Sequence, residues 1–247
     1  LSTGKFIFEL ICLTPEDCVA AEKGGAGRIE LCSAIELGGL TPSFGLTKNC
    51  LSATRLSIMA MVRPRTGGFC YSKSEFETML VDVEQFKSLG VAGIVFGILN
   101  SKRRIDLDRC RKVLEAANGL ETVFHRAFDA TADAERSLEE LIELGLKRVL
   151  TSGQRQTAVE GRELIRRLVD RAAGRIQILP GSGLRSGNVL DFISATGVDQ
   201  IHLTAFDTNE DLSMTGVPIR FNGREPSESK FRAVSEQNVR EIASRLL

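Results

Sequence analysis

A (β/α)8 barrel is the fold this sequence predicts, on three observations. Short apolar runs alternate with helical patterns along the chain, several of the runs end in ionisable residues, and one short repeat recurs at the helix-to-strand joints. The length of 247 residues suits a single barrel, and a 43% hydrophobic composition is enough to fill its core. Residues 1–247 are therefore read as one domain.

Phe6 to Cys12 predicts the first strand. Thr14 then caps a helix that Pro15 opens and Gly24-Gly25 ends. Arg28 to Leu31 is the second strand, followed by a Gly38-Gly39 loop and a helix from near Ser43. Leu56 to Val62 is the third, broken at Arg63-Pro64-Arg65-Thr66-Gly67-Gly68. Ser74-Glu75-Phe76-Glu77 reads as a capping box, opening a helix with Phe76, Met79, Leu80, Val83 and Phe86 on one face.

Gly93 to Phe96 is the fourth strand, and a helix from Asp106 follows. The fifth strand ends in His125, Asp133 to Leu144 is helical, and Arg148 to Thr151 is the sixth strand. Thr157-Ala158-Val159-Glu160 reads as a second capping box, leading a helix to Ala173. Arg175 to Leu179 is the seventh strand, Ser186 to Ser194 a short helix, and Gln200 to Leu203 the eighth strand. Thr204 to Ser229 reads as a long loop, and Ser235 to Leu247 as a closing amphipathic helix.

The repeat has the form G-x-x-x-[IV]: Gly25 to Ile29, Gly90 to Ile94, Gly145 to Val149 and Gly197 to Ile201. Each copy places a helix-ending glycine before an even-numbered strand. Aligned, Ile29, Ile94, Val149 and Ile201 face the helices, so Glu30, Val95, Leu150 and His202 point into the barrel. Cys32, Gly97, Ser152 and Thr204 share that parity at the mouth. Small and polar residues there leave room for a ligand.

Lys+Arg and Asp+Glu are both 32, so no global charge attracts nucleic acid or an acidic membrane. No apolar run is long enough for a membrane span and no signal-peptide pattern opens the chain, which makes a cytoplasmic protein the simplest expectation. The six cysteines show no CxxC and read as free thiols, most of them in the core.

The chemistry clusters at strand ends. Arg63 and Arg65 offer two guanidiniums for a carboxylate or phosphate, or equally a tie between loops. His125, with Arg126 and Asp129, reads as an acid/base and anion clamp, or as a structural pair holding a loop. The mid-strand carboxylates Glu9 and Glu30 need partners, and for Glu9 an internal salt bridge to Arg63 or Arg126 is the favoured reading. The Pro180-Gly181-Ser182-Gly183 turn sits where barrels usually hold phosphate, and Ser152 adds a hydroxyl. Cys12 and Cys32 end neighbouring strands; two soft thiolates suit Cu(I) or zinc, although Cys12 has the opposite parity to Glu9.

Phe8-Glu9-Leu10-Ile11-Cys12, Gly24 to Cys32 and Gly38-Gly39-Leu40-Thr41-Pro42-Ser43 resemble the CutC copper-homeostasis family. So do Arg63-Pro64-Arg65, Phe124 to Asp129 and Arg148 to Gly153. The resemblance implies a cytoplasmic TIM barrel linked to copper tolerance or trafficking, with no reaction firmly attached. It points to Cys12 and Cys32 as ligands of Cu(I). It also gives a pocket set of Glu9, Glu30, Arg63, Arg65, His125, Arg126, Asp129 and His202, and it makes self-association into a homo-oligomer plausible. The chain departs from the family at Thr66-Gly67-Gly68-Phe69 and at Leu203-Thr204-Ala205, and Arg220 to Asn222 matches the family's ending only loosely.

Two functions follow. The first is a copper-homeostasis protein binding a copper ion through Cys12 and Cys32. The second is an enzyme acting on a small anionic metabolite, with Arg63, Arg65, Ser152, Gly181, Gly183 and His202 as binding residues. His125 would be its acid/base, with Glu30, Arg126 and Asp129 in the same catalytic set. A barrel that serves only as a scaffold is a third possibility.

Overall fold

The computed structural model describes residues 6–219, 221 and 228–246. Eight parallel strands form a nearly closed TIM barrel: β1 (Ile7–Cys12), β2 (Arg28–Leu31), β3 (Ile58–Met61), β4 (Gly93–Phe96), β5 (Glu121–Phe124), β6 (Arg148–Thr151), β7 (Gln177–Pro180) and β8 (Gln200–Leu203). The hydrogen-bonded order runs β7-β6-β5-β4-β3-β2-β1-β8, so β7 and β8 meet at the seam by packing rather than by a ladder.

Helices α1 (Pro15–Gly24), α2 (Phe44–Ala53), α3 (Lys73–Leu89), α4 (Leu107–Ala116), α5 (Ala134–Glu143), α6 (Arg162–Ala172) and α7 (Val189–Thr196) connect successive strands. Beyond β8 come β9 (Phe206–Glu210), β10 (Lys230–Val234) and α8 (Glu236–Leu246). Among the described residues no helix is long and apolar enough to cross a membrane.

Strand alternation separates two apolar layers. Ile29, Ile94, Val149 and Ile201 lie in the outer layer against the helices, with Phe8, Phe96, Phe124 and Phe128. Burying a side chain of this size stabilises the fold by about 2–3 kcal/mol. Ile11, Cys32, Met59, Met61, Val95, Val123, Leu150 and Leu179 fill the barrel interior. Gly25, Gly90 and Gly197 are left-handed helix caps and Gly145 also takes positive φ, as the repeat predicts.

Three local readings change. The capping box of α3 is Ser72 with Glu75, whose carboxylate accepts from Ser72 N–H at 2.7 Å; Ser74 already lies inside the helix. Thr157 and Glu160 do pair reciprocally, but around a turn, and Gly161 delays the regular helix to Arg162. Within the expected loop from Thr204 to Ser229, Phe206–Glu210 forms β9, antiparallel to β10. Its polar run Asp207-Thr208-Asn209-Glu210 hides the strand from a hydrophobicity reading. Arg220 and Asn222 lie outside the described residues.

The C-terminal segment is clasped to the barrel's start. Asp17 is buried, and its carboxylate accepts from Leu13 N–H at 2.8 Å and from Val234 N–H at 2.7 Å. Val239 packs on Gly24, where any side chain would collide.

Candidate functional site

The floor of the site is ionic. Arg28, Arg148 and Gln200 occupy the same repeat position, one inward step below Glu30, Leu150 and His202. Arg28 pairs with Glu9, its cross-strand neighbour in the β1–β2 register, and donates to Gln200 Oε1 at 2.8 Å. Arg148 donates to Gln177 at 2.9 Å, to Gln200 at 3.0 Å and to Glu121 at 3.0 Å. Glu9 thus has its internal salt bridge, but with Arg28; Arg63 and Arg126 sit higher, at the mouth, and are engaged there.

Above this floor stand His202 and Glu30. Glu9 Oε1 lies 2.8 Å from His202 Nδ1, which turns Nε2 of that ring toward Glu30. Burial opposes ionisation of Glu9, yet Arg28 and His202 outweigh it and hold the carboxyl down at about 2. For Glu30, burial dominates and the Glu9 charge adds to it, pushing the carboxyl up to about 7. Burial also opposes charge on His202, but Glu30 and Glu9 more than offset it and raise the imidazole above its ordinary value. His202 Nε2 and Glu30 Oε1 are 3.9 Å apart, too far for a direct hydrogen bond, and Glu30 Oε2 is buried without a partner. Both groups line the mouth cavity, the Glu30 carboxyl pushed up by burial and the His202 imidazole raised by its two carboxylate neighbours.

Glu9, Glu30 and His202 place ligand atoms within 4.8 Å of one another, close enough for a small ion. Both oxygens of Glu9 are already engaged by Arg28 and His202, however, and the Arg28 guanidinium opposes a second cation there.

Glu30 and His202 open into a cavity of about 440 Å³ at the barrel mouth, which Cys32, Met61, Arg63, Phe69, His125 and Arg126 also line. His125 stacks on Phe69 at 4.9 Å, in space left by Gly97, where a Cβ would overlap its ring. Its Nδ1 accepts from Ala127 N–H at 3.1 Å, so the neutral ring carries its proton on Nε2, a buried atom with no protein partner. Burial, aided by the Arg63 charge, pushes His125 down to about 3. His125 is a neutral donor rather than the acid/base expected from its position.

The arginines divide. Arg63 acts as a loop tie: Nη1 donates to the carbonyls of Leu37, Gly38 and Gly39 at 3.0–3.1 Å and Nη2 to Gly67 O at 2.9 Å, while its buried Nε has no partner among the described residues. Arg65 lies outside the cavity, pairing with Glu75 and donating to the carbonyls of Thr66, Gly68 and Cys70. The two therefore do not form an anion clamp; carbonyls had already claimed them.

Arg126 does reach the cavity. Its Nε donates to Asp129 at 2.9 Å and its Nη2 to Ser152 Oγ at 2.7 Å. Asp129 accepts besides from Thr151 Oγ1 at 2.6 Å and from the N–H groups of Ser152 and Gln154. That carboxylate braces a loop and is too fully engaged to move a proton, while Ser152 belongs to the brace and not to the cavity wall. Gly181 is also set back: its N–H donates to Thr151 O at 3.0 Å, and it gives space to Leu150 and His202. Gly183 does line the cavity.

The thiol pair separates. Cys12 joins Cys18 and Cys50 in the outer layer, whereas Cys32 faces the cavity beside Met61. The parity of β1 decides this, because Glu9 and Ile11 take the inward positions and Cys12 the outward one. Among residues not singled out from sequence, Arg28 was within reach: it shares the parity of Glu30, two positions earlier. Met61 and Phe69 carried no local signal.

Residues 6–207 match the profile of the CutC family. A CutC family protein of Treponema denticola is 50% identical over 208 residues, spanning 84% of this chain and 85% of its own. One from Bacteroides fragilis is 41% identical over 222 residues, covering 85% and 88%. The solved CutC of Streptococcus agalactiae, provisionally assigned to copper homeostasis, superposes with a TM-score of 0.76 at 33% identity, covering 80% of this chain and 97% of that one. Thiamine phosphate pyrophosphorylase of Pyrococcus furiosus (TM-score 0.59, 13% identity, 98% of this chain and 95% of that one) shares the fold.

Proposed function

This chain belongs to the CutC family, and from that premise we propose that it serves copper homeostasis by moving protons on a small organic molecule held in the mouth cavity. One observation carries the reading: His202 Nε2 and Glu30 face each other 3.9 Å apart beside a cavity, the carboxyl pushed up by burial and the imidazole raised by its carboxylate neighbours. Glu9 orients His202 as a carboxylate orients a catalytic imidazole, and Arg28 keeps Glu9 charged. His125 Nε2–H is the donor suited to a substrate oxygen.

The test is turnover. Wild type, Glu30→Gln and His202→Asn are incubated with a fractionated metabolite extract, and consumption is followed by mass spectrometry. A metabolite consumed by wild type alone is the expected result. A wild type that consumes nothing, or a Glu30→Gln variant equally active, overturns the reading.

A copper cargo has its own supporting observation. Cys32 Sγ and Met61 Cε lie 3.4 and 3.8 Å from the same point, the place a Gly39 Cβ would occupy. A thiol and a thioether side by side, with the His202 imidazole on the same cavity, form a donor set that fits Cu(I). A reducing cytoplasm would keep those thiols free. Anaerobic Cu(I) titration against a competing chelator distinguishes the sites: Cys32→Ser abolishes binding and Cys12→Ser retains it. Equal loss in both variants, or none in either, rejects a Cys32 site.

A further inference from the structure

Resting on the proton-transfer reading, the geometry points to a phosphate monoester as the molecule in the cavity: we propose that the Ser182-Gly183-Leu184 turn and Arg126 bind its phosphate. All four residues line the cavity together with Thr204. Carbonyls of the turn are tied down, since Ser182 O accepts from Ala158 N–H at 2.9 Å and Gly183 O from Asn188 Nδ2 at 3.0 Å. Ser182 Oγ donates to Gln156 O at 2.9 Å. The peptide planes are thereby fixed, while among the described residues the N–H groups of Ser182, Gly183 and Leu184 donate to no protein acceptor. Leu184 is 5% exposed, and N–H groups of buried residues are ordinarily paired.

Ser182 adopts φ +79°, a conformation that costs a non-glycine residue about 1–3 kcal/mol and is retained where the surroundings impose it. Arg126 lines the same cavity; its Nε and Nη2 are engaged by Asp129 and Ser152, and among the described residues Nη1 has no acceptor. Among the described residues the Thr204 hydroxyl has no hydrogen-bond partner either.

Successive backbone donors with a guanidinium on the same cavity suit an anion with three terminal oxygens better than a carboxylate with two. The same cavity is lined by Glu30 and His125, whose Oε2 and Nε2–H are buried and have no partner among the described residues. Anion recognition thus lies on the β7 side of the mouth and not at Arg63 and Arg65.

The probe is inorganic phosphate, titrated into the 15N-labelled protein, with acetate at matched ionic strength as the carboxylate comparison. The amides of Ser182, Gly183 and Leu184 are expected to shift and saturate with phosphate and to stay in place with acetate. Arg126→Met weakens phosphate binding about tenfold, in line with one charged hydrogen bond. Because Arg126 also braces Asp129, Thr204→Val, at an exposed position, serves as the second variant and weakens it about threefold. Amides that do not respond to phosphate, that respond equally to acetate, or that respond unchanged in both variants overturn the proposal. Failure of turnover with a normal phosphate response would instead reject only the proton-transfer reading.

Discussion

Glu9 stands between Arg28 and His202, with one carboxylate oxygen on each, so a single buried anion both balances the Arg28 charge and orients the imidazole above it. Glu9→Gln keeps the shape and removes the charge. Arg28 is then left as an uncompensated buried cation, and stability falls by about 3–5 kcal/mol. The same change removes one of the anions that raise His202, so its imidazole titrates at lower pH than in wild type. Denaturant unfolding and the histidine ring signals in an NMR pH series measure the two effects.

His125 makes the fold acid-sensitive, and the sign is fixed by its downward shift. The unfolded chain takes up a proton on this residue below about 6.5, whereas the folded ring stays neutral to about 3, so the unfolded state binds more protons in that window. Stability therefore falls as pH drops from about 6.5 toward 3, by roughly 3 kcal/mol near pH 4 from this group. His125→Gln should show a shallower loss over the same range in urea melts.

Gly97→Ala tests the seating of that ring. The new methyl would overlap Nδ1 and Cε1 of His125, and Ala127 crowds the same point, so the imidazole must swing out. Overpacking costs about 1–3 kcal/mol, and an exposed ring returns toward its ordinary pKa. A His125 signal that titrates near 6.5 in the variant is the expected observation.

Arg63 fastens two mouth loops through four backbone carbonyls and lies over the Phe69 ring. Arg63→Met should leave the barrel folded, lose about 2–4 kcal/mol, and speed amide exchange in residues 37–41 and 67–69. Unchanged exchange there would mean that the loops hold themselves.

The barrel was legible because its signals are local and repeated. Gly25, Gly90, Gly145 and Gly197 mark the joints, and the residues after them set the parity that sends Glu30 and His202 inward. What stayed hidden is relational. Arg63 and Arg65 have the same spacing whether they grip a ligand or a carbonyl, and only the fold brings the carbonyls of Leu37, Gly38 and Gly39 to Arg63. Arg126 could be singled out, but which of its nitrogens stays open depends on Asp129 and Ser152. Cys12 and Cys32 are neighbours along the sheet, yet Glu9 at an inward position had already assigned Cys12 to the far side.

The Asp17 clasp has a consequence for how the molecule is made. During synthesis, β1 and α1 emerge before the rest of the barrel, carrying a carboxylate meant for the interior. One of its two backbone donors, Val234 N–H, is added 217 residues later. β1 also lacks one of its two neighbours until β8 is complete. The opening unit of the barrel therefore cannot reach its final packing while the ribosome still holds the last strands, and a chain stalled before Val234 would expose the Asp17 side of α1 to chaperones and proteases.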